Sequence, residues 1–164
     1  MFREMRRKAQ QLPHQEAERI LVEGTSGVLA LLGDDGYPYA VPMSYVYNPP
    51  YLYFHSAACG HKVDAVKRCG KASFCVVEQD EIHPETLTTH YRSAIAFGQI
   101  RLLEDDGQKR EALRQIAQRY APAFMENAAR EIEESLDHTH LIALKIEHLT
   151  GKEAKELMQK RSAQ

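Results

Sequence analysis

The residues best suited to chemistry lie close together, between His55 and Lys62. His55 and His61 offer imidazoles, Ser56 a hydroxyl and Lys62 an ammonium. Between them Ala57-Ala58-Cys59-Gly60 is a run of small residues, where a backbone can come close to a ligand. This donor set suits an anion, and a phosphate in particular. The local elements would aim it. Tyr51-Leu52-Tyr53-Phe54-His55 is aromatic and apolar and follows Pro49-Pro50, which predicts a strand. His61 to Lys67 sets Val63 and Val66 at helical spacing, which predicts a helix. The first N–H groups of a helix have no internal partner, and its dipole is positive there. The same residues also suit an ordinary strand–helix connection with solvated Lys and His side chains, so two readings stand side by side.

The rest of the chain bounds the answer. It has 164 residues, enough for one domain with a real core and some helical decoration. A net charge of −2 and a pI near 6.4 argue against nucleic acid as a partner. No apolar run approaches the ~20 residues that span a bilayer. The segment MFREMRRKAQQ is basic but has no apolar core, so it does not read as a secretory signal. Cys59, Cys69 and Cys75 form no CxxC pair, which fits a reducing cytoplasm.

In order, His14 to Glu23 reads as a helix and Gly27 to Gly33 as a short buried strand. Asp34-Asp35-Gly36 is a hairpin turn. Tyr37 to Tyr47 is a second strand, placed at an edge or made irregular by Pro38 and Pro42. Tyr51 to His55 is the third strand and Ala72 to Gln79 the fourth, with 80–88 a loop. His90 to Leu103 is a long strand with Gly98 marking a bulge or close approach. Two helices follow, about Gly107 to Tyr120 and Phe124 to Leu136, forming a helical insertion over about 106–137. Thr139 to Ile146 is the last strand, and 151–161 a polar C-terminal helix. The pattern implies an all-β core with added helices: six antiparallel strands in a barrel.

Several fragments, taken in order, are those of a known family. They are the Asp-Gly hairpin, Pro-Tyr-Ala-Val-Pro-Met-Ser-Tyr (38–45), Leu-Tyr-Phe-His-Ser-Ala (52–57), Gly-His-Lys (60–62), Tyr-Arg-Ser-Ala-Ile-Ala-Phe-Gly (91–98) and Leu-Thr-Gly-Lys-Glu (149–153). The chain resembles the FMN-binding split-barrel flavoproteins related to pyridoxamine 5′-phosphate oxidase, and within them the group that contains the nitroimidazole-resistance proteins. That resemblance implies a six-stranded split barrel forming a homodimer, with FMN at the subunit interface. By the same resemblance, Val41, Pro42, Met43 and Ser44 would lie along the isoalloxazine ring. His55 and Ser56 would sit near the ribityl chain and phosphate, with Lys62 on the phosphate. Tyr91, Arg92 and Ser93 would add ring or phosphate contacts, and Lys152 would reach the site from the partner chain. Flavin would carry the electrons and NAD(P)H would supply them to reduce a small electrophile. No Rossmann fingerprint appears, so a nicotinamide would bind transiently over the flavin. No general acid–base pair stands out, and no catalytic side chain is assigned.

Other residues have competing readings. His55 would contact phosphate, ligate haem or a metal, or simply end a strand. Haem binders occur among related split barrels, so a flavin- or haem-binding protein without turnover is the alternative to an oxidoreductase. His138 and His140 share a strand face, a spacing that suits a metal, but a solvated or capping role is simpler and no metal is assigned. Cys59 reads as a small residue in a tight turn rather than a reactive thiolate. Six tyrosines between Tyr37 and Tyr53 form a cofactor-facing wall, a dimer interface or a half-buried sheet face. The acidic run Glu126 to Asp137 reads as a solvated helix face.

Overall fold

A computed structural model describes residues 2–136 and 138–162. Its centre is one antiparallel sheet of seven strands: β1 (Ser26–Leu32), β2 (Pro38–Ser44), β3 (Val46–Asn48), β4 (Tyr51–Ala57), β5 (Lys71–His83), β6 (Thr88–Leu102) and β7 (Thr139–Glu153). They run in the order β2-β1-β5-β6-β7-β4-β3. The two edge strands, β2 and β3, are neighbours in sequence, separated only by Tyr45. A sheet whose opposite edges meet across one residue has to curl on itself, and this one makes a barrel that is split rather than closed by a ladder.

Tyr45 is where the expected second strand divides in two, which raises the strand count from six to seven. The cause is a hydroxyl. The Tyr45 N–H donates to Tyr120 Oη at 3.0 Å, and that hydroxyl lies 2.6 Å from the carbonyl oxygens of both Tyr45 and Thr25. Tyr45 therefore finds its backbone partners in a side chain rather than in a neighbouring strand. Its own hydroxyl donates to the Leu21 carbonyl at 2.8 Å, and the ring is fully buried. Burial in this spot pushes the Tyr45 phenol up from its ordinary value.

The barrel interior is filled by Leu29, Leu31, Met43, Leu52, Phe54, Phe74, Ala94, Ile142 and Leu144. Helix α1 (His14–Glu23) adds Ala17, Ile20 and Leu21 to this core, and α2 (His61–Arg68) adds Ala65 and Val66. Strand β7 buries both faces, which explains its unbroken apolar run: Ile142 and Leu144 point inward, and Leu141 and Ala143 pack outside. The outer pair meets Ala112, Leu113 and Ile116 of α3 (Asp106–Tyr120), whose start is capped by Asp105 Oδ1 accepting from the Gln108 N–H. Helix α4 (Met125–Ser135) follows, and position 137, the end of the expected insertion and of its acidic run, lies outside the described residues.

Gly98 is the expected bulge, with the β6–β7 register shifting between Phe97 and Gly98. A Cβ there would stand 1.9 Å from the Lys145 carbonyl oxygen, so only glycine fits. Two expectations fail. The stretch 80–88 is not a loop: β5 continues to His83 and β6 begins at Thr88, with Glu81 paired to His90 and Ile82 to Thr89. The span 151–161 is not helical from its start. Strand β7 continues to Glu153, because Ser93 pairs with Lys152 and Arg92 with Glu153, and only then does α5 (Lys155–Ser162) begin.

Candidate functional site

The split in the barrel opens where β2 leaves Tyr45 along one edge while β4 runs on to Ala57 and into α2. Beyond Tyr53, β4 no longer pairs with β3, so His55 and Ser56 face the gap with only β7 beside them. Helix α2 starts at the end of this gap. Its first residue follows Gly60, which takes a φ of +121° that L side chains rarely adopt and whose missing Cβ faces open space. No side chain caps this helix, so its first N–H groups are free for a ligand.

The helix is pinned to the barrel by its other polar groups. Arg68 donates to the Gly33 carbonyl at 2.7 Å and to the Asp34 carboxylate. His61 stacks on Tyr39 with ring centroids 4.0 Å apart, its Nε2 3.7 Å from Asp34. The Arg68 guanidinium holds the Asp34 carboxyl below its usual range. This anchoring brings Lys62 across the split to β2, where its Nζ lies 3.0 Å from Met43 Sδ. Among the described residues Lys62 has no carboxylate partner, and burial lowers its pKa. A part-buried ammonium against a thioether, beside uncapped helix N–H groups, is a set of donors short of an anion.

On β2 the side chains of Val41 and Met43 turn to the core, while Pro42 and Ser44 are exposed on the outer face. Ser56 is 8% exposed and His55 exposed. Of the expected residues, Val41, Pro42, Met43 and Ser44 thus lie on the edge strand β2, His55 and Ser56 on the end of β4 that β3 does not pair, and Lys62 reaches β2 through Met43.

The other four lie elsewhere in the chain. Tyr91, Arg92 and Ser93 are on β6 and Lys152 is beside them on β7, with its Nζ 5.3 Å from the centre of the Tyr91 ring. Arg92 is already committed. It donates to the fully buried Glu153 at 3.0 Å and lies 3.7 Å from Glu78. Arg161 takes the other oxygen of Glu153 at 2.7 Å. Arg92 is thus ion-paired with two carboxylates, while its Nε is buried without a hydrogen-bond partner among the described residues.

Pro42 and Ser44 of the first group and Tyr91, Ser93 and Lys152 of the second lie on one surface, the outer face of β2-β1-β5-β6-β7. Register places Pro42 beside Val28, Val28 beside Cys75, Cys75 beside Ile95 and Ile95 beside Thr150. Four strand spacings separate β2 from β7 along such a row, or ~19 Å at about 4.8 Å each. This face is apolar and open: Val28 is 41%, Val77 61% and Phe97 36% exposed.

A family model described as pyridoxamine 5′-phosphate oxidase matches residues 13–153, nearly all of the sheet and helices just described. This chain belongs to that family. Solved structures share its fold at low identity. A candidate 5-nitroimidazole antibiotic resistance protein from Bacteroides thetaiotaomicron is 22% identical, with 87% of this chain and 85% of that one aligned at a TM-score of 0.70. A flavocytochrome from Azotobacter vinelandii is 19% identical over 93% of this chain and 72% of its own, at 0.76. An FAD and haem binding protein from Mycobacterium smegmatis is 22% identical over 89% and 74%, also at 0.76. No curated protein sequence matches significantly. Among the described residues, no helix of this family member is long and apolar enough to cross a membrane.

One cluster is hidden from a reading that makes 80–88 a loop. Glu81, His83 and His90 place one ligand atom each within 4.8 Å of one another. The alternation Glu81-x-His83 before Pro84, with His90 beyond a short turn, is the signal that a hairpin here would expose. The HxH pair at His138 and His140 joins no such three-ligand cluster among the described residues.

Proposed function

We propose that this protein is an FMN-dependent oxidoreductase. It works as a cytoplasmic homodimer with cofactor at the subunit interface, and uses NAD(P)H to reduce a small electrophile, a nitroaromatic such as a 5-nitroimidazole. The observation that carries this reading is Lys62: part-buried, without a carboxylate, and held at an uncapped helix start across the split from β2. This donor set fits a flavin phosphate, with Lys62 as the cation, Ser56 as a hydroxyl donor and the first α2 N–H groups filling the remaining acceptors. His55 flanks the ribityl chain. Strand β2 is an edge strand, so the backbone of Val41, Pro42, Met43 and Ser44 on its open side is free to meet a ring edge.

Bound flavin would supply hydride and electron transfer; the chain's own residues bind it, orient it and shield it from water. Distance supports the homodimer: Tyr91 and Ser93 on β6 stand three strand spacings from β2 and Lys152 on β7 four, so a second copy docked on the open apolar face would bring them to the cleft. The unbroken apolar run of β1 supports this, since Val28 and Leu32 are 41% and 42% exposed in the single chain. The nitroaromatic substrate rests on the likeness to the Bacteroides protein.

The test is a titration of the purified protein with FMN, followed by absorbance and gel filtration. Lys62→Ala removes a charge-assisted bond and should weaken FMN by about 1.5–3 kcal/mol, roughly 10- to 150-fold in Kd. Wild-type affinity in that variant would refute the phosphate placement. Bleaching by NAD(P)H with reoxidation by a nitroaromatic marks an enzyme.

A second reading is a flavin- or haem-binding protein without turnover. It is favoured by the shared fold with the flavocytochrome and the FAD and haem binding protein, and by the exposed imidazole of His55, which has no side-chain partner among the described residues. A Soret band without flavin peaks would select it.

A further inference from the structure

We propose a divalent transition-metal site, zinc in the first instance, at the end of the β5–β6 hairpin, with His83, His90 and Glu81 as ligands. His90 is next to Tyr91 in β6 and points to the opposite face of that strand. Register builds the site: Glu81 pairs with His90 across the ladder, and His83 lies two residues beyond Glu81, so all three side chains share one face. The His83 and His90 rings stand 3.7 Å apart, and the three donor atoms lie within 4.8 Å of one another.

The surroundings of His83 point to a cation. Its Nδ1 lies 3.0 Å from Glu85 Oε1, and in the neutral ring with the proton on Nδ1 the Nε2 keeps a lone pair. That Nε2 is shut off from solvent, has no hydrogen-bond partner among the described residues, and faces Glu81 Oε1 at 3.5 Å. Two electron-rich atoms held this way repel unless a positive charge lies between them. Two donors on a tetrahedral zinc, each ~2.0–2.1 Å from the ion, are separated by about 3.3–3.4 Å. The Nε2–Oε1 spacing therefore needs almost no adjustment, and a side-chain rotation brings in His90. Glu85 takes the place of the outer carboxylate that orients a metal-bound imidazole. Two imidazoles and one carboxylate suit zinc and its neighbours in preference to calcium or magnesium, which take oxygen ligands. A fourth position opens onto a cleft of about 560 Å³ shared with Glu156 of α5.

The rival occupant is a proton, which would turn His83 into an imidazolium between two carboxylates. The experiment separates them. Full-length protein is titrated with zinc chloride by calorimetry in a non-chelating buffer, and with Co²⁺ by visible absorption. The expected result is one zinc per chain and tetrahedral Co²⁺ bands. Both should be lost in His83→Ala and in His90→Ala, and affinity should fall about 10- to 100-fold in Glu85→Gln. Thermal melts without metal report whether each variant still folds, and the near-isosteric Glu81→Gln gives a second ligand test. Absence of saturable zinc binding would overturn the site in favour of the proton. Binding unchanged in all four variants would overturn it in favour of other histidines, such as His138 and His140.

Discussion

Removing the Tyr120 hydroxyl should loosen the seam of the barrel, because that one group satisfies the backbone where β2 gives way to β3. In Tyr120→Phe the Tyr45 N–H loses its acceptor at 3.0 Å, and the carbonyls of Tyr45 and Thr25 lose the single O–H donor they share at 2.6 Å. Tyr45 itself is fully buried, whereas Tyr120 is 39% exposed, so water can reach Thr25 more readily than the Tyr45 N–H. Leaving one buried polar group unsatisfied costs about 1–3 kcal/mol. At ~2–4 °C per kcal/mol for a domain of this size, the melting temperature should fall by roughly 2–12 °C. The assay is thermal denaturation followed by circular dichroism, with Tyr37→Phe as the control, since Tyr37 is 74% exposed and should leave the melt unchanged. A Tyr120→Phe protein that melts with wild type would refute the argument that this hydroxyl holds the strand break.

Three further outcomes are expected. Gly98→Ala would drive a Cβ to within 1.9 Å of the Lys145 carbonyl oxygen between two central strands, so it should destabilise by about 3 kcal/mol or more and reduce soluble yield. Glu153→Gln removes the charge that pairs Arg92 and Arg161 from a fully buried position, and urea denaturation should show a loss of about 2–4 kcal/mol, with Glu153→Asp losing less. Burial raises the phenols of Tyr45, Tyr47 and Tyr53, that of Tyr47 to about 12 with the Glu18 carboxylate adding to the effect. Because folded values lie above unfolded ones, the stability they leave intact below about pH 10 is lost as pH rises beyond it. Absorbance at alkaline pH should therefore show fewer than the eight tyrosines ionising until the protein unfolds; eight ionising together below pH 11 would contradict the burial.

Much of this protein was legible in local sequence, because local rules govern it. The helix at His14 to Glu23 appears with those bounds, the cap at Asp105 does what its type implies, and Gly98 marks the bulge. The strand–turn–helix around Ser56 to Lys62 could be read for an anion because helix starts and cations act at short range. What the sequence could not decide was long range. Tyr45 looks like any strand residue until Tyr120, 75 positions away, takes its backbone bonds and splits the strand. That Arg92 pairs with the buried Glu153 is likewise decided by strand pairing and not by its neighbours in sequence. Glu81 and His83 look like loop residues until register sets Glu81 opposite His90. Capping, turns and hydrophobic period are properties of neighbours along the chain. Which charge meets which, and which edge stays open, are set only when the sheet curls and distant strands choose their partners.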